Sequence, residues 1–319
     1  MKMIARSHRY QKNAKQNSAA PPPLRGQAEL APTGQLRRAL EEQAMNQQQT
    51  VLRGRTFVCM LLTAAAMIAA LRTVPAAEEK LMGYEVQTVE VVVGGAPQQF
   101  AYQLLRPETF EPGKCYPLVL FLHGAGERGS DNSSQLKYLP TWLAEPPLRQ
   151  QFPCFVVAPQ CRAEHRWSPF DWSDKTSSPL AAEPTADLAA AIAALDMVCQ
   201  EEPVDRSRIY LTGLSMGGYG SWELAARLPE RFAAVAPICG GGDEAQVAKI
   251  AHLPIWCFHG AADQVVPVER SRSMIAALEA AGGSPKYCEL PGVGHDSWTP
   301  AYRDSGLLEW LFAQRQPGR

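Results

Sequence analysis

The body of the chain alternates between short apolar runs and longer amphipathic segments. Almost continuously apolar runs of five or six residues are typical of parallel strands buried on both faces, and here they cover 117–122, 154–158, 208–212, 233–238 and 254–258. Apolar residues three and four positions apart predict helices, at 185–201, 216–228, 270–281 and 305–314. Alternating strands and helices predict a doubly wound, mostly parallel α/β sheet whose functional groups lie at the carboxyl ends of the strands.

Two further runs precede this alternation. Residues 84–93 and 98–105 are rich in β-branched residues or alternate in polarity, and Gly94-Gly95-Ala96-Pro97 separates them. This pattern predicts an N-terminal antiparallel hairpin, and 286–290 reads as one more strand. We expect residues 77–319 to form a single domain, because they suffice for one sizeable core and show no internal repeat.

The segment 51–76 has the layout of a signal peptide. Residues 56–71 are uncharged and apolar, Arg53 and Arg55 precede them, and Val74-Pro75-Ala76-Ala77 offers small residues for cleavage after Ala76 or Ala77. An uncleaved membrane anchor through 56–71 and a buried core helix are the alternatives, since a membrane span needs about 20 apolar residues. The signal peptide and the uncleaved anchor both predict export to the periplasm or the exterior.

Residues 1–50 are rich in Gln, Ala, Pro and Asn and show little hydrophobic periodicity. This composition predicts disorder. Because signal peptides normally begin near the initiator methionine, we also consider that translation starts at Met45 and that the preceding stretch is a misassigned extension.

Charge and cysteine usage narrow the function. A net charge of −1 and a pI near 6.6, with both signs mixed along the body, argue against a nucleic-acid partner. The eight cysteines show neither C-x-x-C spacing nor a Cys/His cluster suited to zinc, so we expect no metal site. The sequence implies no cofactor. We expect most cysteines to be buried, and at least one of the seven after the targeting segment to be free.

A candidate catalytic motif is Gly213-Leu214-Ser215-Met216-Gly217, which follows a predicted strand and opens a predicted helix. This is the context of a nucleophile elbow, in which glycines flank a strained serine so that the strand and the helix can pack closely. Ser215 is therefore the predicted nucleophile. The pattern alone is weak, and its position between strand and helix makes it specific.

A serine hydroxyl needs an imidazole base, and in this arrangement the chain order is Ser, acid, His. His295, in a glycine-rich loop after 286–290, is the predicted base. Asp263 is the predicted acid because it begins a loop at the carboxyl end of 254–258, with Asp243 after the preceding strand as its rival. Asp296 and Glu289 fit better as solvated charges.

The oxyanion of a tetrahedral intermediate needs N–H donors from the residue after the nucleophile and from an earlier loop. Met216 and Ala125 are the predicted donors, with Gly124 as the alternative to Ala125. His123 is expected to be a structural loop histidine. The aromatic residues Trp167, Trp172 and Trp298 are candidates for walls of a substrate pocket, against the plainer expectation of loop packing.

Several stretches together carry a family resemblance: RPETFEPGKCYPLVLFLHGAGERGSDN, VVAPQC, RIYLTGLSMGGYGSWELA, PICGGGD, PIWCFHGAADQVVPV and GVGHDSW. Over about 84–314 the chain resembles α/β hydrolases of the single-domain esterase or "predicted peptidase" group, related to dienelactone hydrolases, feruloyl esterases and prolyl oligopeptidase catalytic domains. The resemblance implies hydrolysis through an acyl-enzyme on Ser215, with Asp263 and His295 as its partners. Dienelactone hydrolases carry a cysteine nucleophile, so serine at 215 disfavours that activity.

The resemblance favours ester substrates, since the chain has no room for the propeller domain that screens peptides in prolyl oligopeptidases. It implies small-molecule or polysaccharide esters, such as feruloyl or acetyl groups on polysaccharides. A small serine peptidase with the same triad is the alternative, and a noncatalytic binding protein on the same fold is a third hypothesis. The sequence leaves the oligomeric state open.

Overall fold

A computed structural model describes residues 81–177 and 179–317 of the chain. Their centre is an eight-stranded sheet in the order β1-β2-β4-β3-β5-β6-β7-β8. Strands β3 to β8 run parallel, and β1 and β2 are antiparallel additions at one edge. The strands are β1 Tyr84–Val93, β2 Ala96–Leu105, β3 Tyr116–Leu122, β4 Phe155–Pro159, β5 Val204–Leu214, β6 Ala234–Ile238, β7 Trp256–Gly260 and β8 Lys286–Leu290.

The first two strands form the predicted hairpin, with a tighter turn than expected. Val93 pairs with Ala96, so only Gly94 and Gly95 make the turn, and both have positive φ (60° and 85°). A two-residue turn of this kind needs positive φ at both positions, which glycine adopts without steric cost. The strand β2 therefore begins two residues earlier than the sequence pattern predicts.

Helices cover both faces of the sheet. The predicted helices are observed with bounds shifted by one to two residues, and three short helices, at Leu139–Ala144, Pro146–Gln151 and Trp298–Asp304, were not predicted. Along the chain the helices are α1 Leu139–Ala144, α2 Pro146–Gln151, α3 Ala186–Glu201, α4 Met216–Arg227, α5 Glu269–Ala280, α6 Trp298–Asp304 and α7 Leu307–Ala313.

Two apolar cores lie on opposite faces of the sheet because side chains alternate along each strand. One face carries Leu118, Leu120 and Leu122 of β3 and packs against α3, α4 and α5. The other face carries Val119 and Phe121 and packs against α1, α6 and α7. The central strands β3 and β4 are buried along their whole length, which accounts for their continuous apolar runs. The predicted fold class is confirmed.

The predictions for 1–50 and 51–76, including the apolar run 56–71, lie outside the described residues. Within the described ranges, none of the helices combines the length and the apolar character that crossing a bilayer requires. All seven described cysteines are free, and five of them are buried, as expected for small apolar residues.

Candidate active site

Ser215 lies in a tight turn between β5 and α4. Its backbone has φ 54° and ψ −117°, a conformation that costs free energy in a non-glycine residue. The flanking glycines make the turn possible: a Cβ on Gly217 would lie 1.8 Å from the carbonyl oxygen of Leu122, and one on Gly213 would lie 2.4 Å from the carbonyl oxygen of Gly217. The main chains of β3, β5 and α4 are thus in direct contact beneath Ser215.

The structure brings the three predicted triad residues together. His295 Nε2 lies 2.9 Å from Ser215 Oγ, and His295 Nδ1 lies 2.7 Å from Asp263 Oδ2. Because the carboxylate can only accept, Nδ1 carries the ring hydrogen and Nε2 is free to accept the serine proton. Ser215 is 8% exposed and the His295 side chain is 22% exposed, so the histidine reaches the surface beside a nearly buried serine.

Asp263 is held by four donors. Its Oδ1 accepts from the backbone N–H groups of Val265 (2.8 Å) and Val266 (3.0 Å), and Oδ2 accepts from His295 and lies 3.2 Å from His259 Nε2. Burial of the carboxyl works to raise its pKa, but these hydrogen bonds outweigh burial and hold the pKa well below the ordinary value. Asp263 therefore stays ionised beside His295.

His259 is a residue of the site that the sequence analysis did not find. It is fully buried, and its Nδ1 lies 2.7 Å from Ser271 Oγ. Its Nε2 faces two acceptors, Asp263 Oδ2 and the carbonyl of Val266 at 3.0 Å, so Nε2 carries a hydrogen. The spacing His-Gly-x-x-Asp at the end of a strand was the available signal, since the turn folds the aspartate back over the histidine.

The rival acids have other partners. Asp243 accepts from the backbone N–H groups of Leu180 (2.8 Å) and Ala245 (3.0 Å), which ties two loops together. Asp296 is exposed and caps the start of α6, and Glu289 forms an ion pair with Arg272. The geometry therefore selects Asp263 over Asp243.

The loop after β3 is fixed by His123. This buried histidine donates from Nδ1 to the carbonyl of Gly124 (2.6 Å) and accepts at Nε2 from the N–H of Cys161 (2.9 Å). Burial lowers the pKa of His123 to about 4, so the ring is neutral at pH 7. Its role in holding the loop agrees with the structural role predicted for it.

The predicted oxyanion donors lie at the same end of neighbouring strands. Leu122 of β3 pairs with Gly213 of β5, and Ala125 and Met216 each follow three residues later. Met216 is the first residue of α4, where a helix leaves its N–H without an internal partner. Gly124 packs against Leu214, because a Cβ there would lie 2.8 Å from Leu214 Cδ1. This places the Gly124 and Ala125 backbone beside the elbow.

The three candidate pocket tryptophans have different positions. Trp298 lies edge-on to His295, with ring centroids 5.3 Å apart, and Trp172 is half-buried beside Phe170 and Tyr219. The prediction for Trp167 is wrong: it is fully buried, and its Nε1 donates to the carbonyl of His123 (3.0 Å). Trp167 therefore supports the loop after β3 from within the core and does not line an open pocket.

One group of potential metal ligands occurs among the described residues, and it overlaps the triad. It comprises Cys239, Asp263 and His295, whose ligand atoms lie within 4.8 Å of one another. Asp263 and His295 are already bonded to each other, and burial raises the pKa of the Cys239 thiol well above its ordinary value. This donor set therefore favours hydrogen bonding over metal coordination.

A nucleophile elbow on a parallel sheet, with a histidine and an aspartate from later loops, defines an α/β hydrolase. The chain belongs to the phospholipase/carboxylesterase family, whose model matches residues 111–304. A thermostable esterase of known crystal structure is 40% identical, with a TM-score of 0.66, over 72% of this chain and 63% of that one. The chain thus has the fold and the family membership of an α/β hydrolase.

Two fungal relatives are more distant. A probable feruloyl esterase C of Aspergillus flavus is 27% identical over 61% of this chain and 67% of its own length. An uncharacterized secreted protein of Arthroderma benhamiae is 25% identical over 66% of this chain, which spans only 25% of that protein.

Proposed function

We propose that the chain hydrolyses carboxylic esters through an acyl-enzyme on Ser215. The observation that carries the proposal is the continuous hydrogen-bonded series from Asp263 Oδ2 to His295 Nδ1 (2.7 Å) and from His295 Nε2 to Ser215 Oγ (2.9 Å). A serine with this arrangement can lose its proton to the imidazole as it attacks a carbonyl carbon, and the ionised aspartate stabilises the imidazolium that forms.

The reaction would proceed in two halves. Ser215 Oγ bonds to the carbonyl carbon, its proton moves to His295 Nε2, and the N–H groups of Met216 and Ala125 stabilise the oxyanion. The intermediate collapses as the alcohol leaves with the proton from His295. Water then repeats the sequence on the acyl-enzyme and releases the acid and free Ser215.

Substrates and location extend the same proposal. Feruloyl or acetyl esters of polysaccharides are the proposed substrate class, supported by the likeness to a probable feruloyl esterase C. Export of a catalytic domain at 77–319 is supported by the signal-like segment 51–76 and by the relative called secreted. N-terminal sequencing of the exported protein should begin at Ala77 or Glu78, and a mature form that retains 56–71 would contradict cleavage.

The decisive experiment measures hydrolysis of p-nitrophenyl acetate and methyl ferulate by the full chain. Ser215→Ala should lower kcat at least about 1000-fold, because no other group can form the acyl-enzyme. Ser305→Ala is the matched control and should remain active. The Ser305 hydroxyl donates to the carbonyl of Ala301 at the carboxyl end of α6. Ester turnover that survives in Ser215→Ala would refute the proposal. Cleavage of peptide p-nitroanilides without ester cleavage would point to a peptidase.

A further inference from the structure

Two arginines lie against one tryptophan in the loop region beside the site. The guanidinium carbon of Arg166 lies 4.3 Å from the ring centroid of Trp172, and that of Arg128 lies 6.0 Å from the same ring. All three side chains are half-buried. A guanidinium over an indole face is attracted by the ring, and its N–H groups still point outward in its own plane, where an acceptor can bind.

Neither arginine has a carboxylate partner among the described residues. Most described arginines do lie within 4.0 Å of a carboxylate oxygen. Those that do not are Arg128, Arg149, Arg166 and Arg206.

Backbone carbonyls hold the two arginines in place. Arg128 donates from Nε to Ala125 (2.9 Å) and from Nη1 to His165 (3.2 Å), and Arg166 donates from Nη1 to Phe170 (3.0 Å). The hydrogen bonds within the described ranges leave Nη2 of both arginines, and Nε of Arg166, without an acceptor.

Asp171, the acid of the same loop whose pKa Arg166 affects, does not neutralise them. Hydrogen bonds from Ser173 lower the pKa of the Asp171 carboxyl most, and the nearby positive charge of Arg166 lowers it further. Its Oδ1 accepts from the Ser173 N–H and hydroxyl, and it forms no ion pair with either arginine. Two fixed, half-exposed positive charges thus remain available at one spot.

This spot borders the proposed catalytic groups. Arg128 is bonded to the carbonyl of Ala125, the predicted oxyanion donor. Trp172 lies beside the first turn of α4, which Ser215 immediately precedes: the Tyr219 hydroxyl lies 3.4 Å from the Trp172 carbonyl.

We propose that Arg128 and Arg166, held against Trp172, form a subsite for a carboxylate of the substrate. The inference rests on the proposed ester hydrolysis and deepens it: the preferred esters carry an acid group, as esters of acidic sugars or of dicarboxylic acids do. Paired N–H edges suit the two oxygens of a carboxylate, and binding energy from such a distant group can assist the reaction at the carbonyl.

The test compares esters that differ in one charge, using the full chain. The alcohol-side pair is 4-acetoxybenzoate and its neutral methyl ester, and the acyl-side pair is 4-nitrophenyl hydrogen glutarate and 4-nitrophenyl pentanoate. The measured quantity is the ratio of kcat/KM for the charged ester to that for the neutral one. Comparing this ratio between variants cancels the intrinsic reactivity of each ester.

Arg166→Gln should lower the ratio about tenfold for at least one pair, mainly through KM of the charged ester. Arg166→Lys should fall in between, because it keeps the charge and loses the planar geometry. Arg206→Gln is the matched control and should leave the ratio unchanged: Arg206 also lacks a carboxylate partner, but it bonds the carbonyl of Cys199 near the start of β5. Ratios within twofold of wild type for both pairs would overturn the proposal.

Binding without turnover separates this inference from the esterase proposal. In Ser215→Ala, calorimetry should show that 4-acetamidobenzoate binds more tightly than its methyl ester, and that adding Arg166→Gln removes the difference. Equal binding of the two amides, or tighter binding of phenyl phosphate than of benzoate, would overturn a carboxylate subsite. Loss of neutral-ester hydrolysis in every sample, with this preference retained, would refute the esterase proposal alone.

Discussion

Acidification from pH 7 to pH 4 should destabilise this protein measurably through one histidine. His123 is 1% exposed, and its two ring nitrogens bind backbone groups as a neutral ring. Burial lowers its pKa to about 4, against 6.5 for an ordinary histidine. The unfolded chain therefore takes up a proton in this interval that the folded protein does not, and stability falls as the pH is lowered through it.

The size of the effect follows from the two pKa values. Each unit of difference between the two pKa values corresponds to about 1.4 kcal/mol. Lowering the pH across the whole interval therefore reduces the free energy of unfolding by about 3 kcal/mol. Buried carboxyl groups act in the opposite direction over part of this range: burial raises the pKa of Glu127 and Glu223, so their contribution to stability falls as the pH rises. A comparison with a variant that lacks only His123 removes these shared contributions.

The assay is urea unfolding at pH 4.5, 5.5, 6.5 and 7.5 for wild type and His123→Asn. At pH 7.5 the variant should be less stable, because the N–H of Cys161 loses its acceptor. The stability difference should shrink by about 2 to 3 kcal/mol on going to pH 4.5, since asparagine takes up no proton. Parallel stability curves for the two proteins would refute the argument that His123 is buried as a neutral ring.

Two further substitutions test the packing and the second histidine. Gly217→Ala should lower the free energy of unfolding in urea by at least about 4 kcal/mol, because its Cβ would lie 1.8 Å from the carbonyl oxygen of Leu122. Gly126→Ala, whose Cβ would have no neighbour within 4 Å, is the control and should lower it little. Equal losses in the two variants would contradict this argument. His259→Gln should lower kcat about tenfold with KM little changed, because Asp263 loses a donor that fixes it, while the exposed His252→Gln should have no effect. A change confined to KM, or parallel changes in both histidine variants, would remove the positioning role of His259.

The sequence alone predicts features that neighbouring residues form, and features that depend on which loop follows which strand. The elbow at Ser215 could be predicted because strand, serine, glycines and helix are contiguous, and His295 and Asp263 because their loops follow strands that end at the same edge of the sheet. The role of Trp167 could not be predicted, since an aromatic residue in a long loop gives no sign of whether its ring points inward. The stacking of Arg128 and Arg166 on Trp172 depends on two loops from different strands, so only the folded chain shows it.

The contact of β3, β5 and α4 through main-chain atoms at Leu122, Gly213 and Gly217 separates the position of Ser215 from the side chains around it. The distance between the serine and the loop that follows β3 depends on peptide groups common to every residue type. Mutations that exchange the side chains of the surrounding loops can then alter which molecules are accepted while leaving this spacing intact. Substitutions in those loops are therefore expected to change the accepted molecules without moving Ser215, whereas a side chain at Gly213 or Gly217 would displace main-chain atoms.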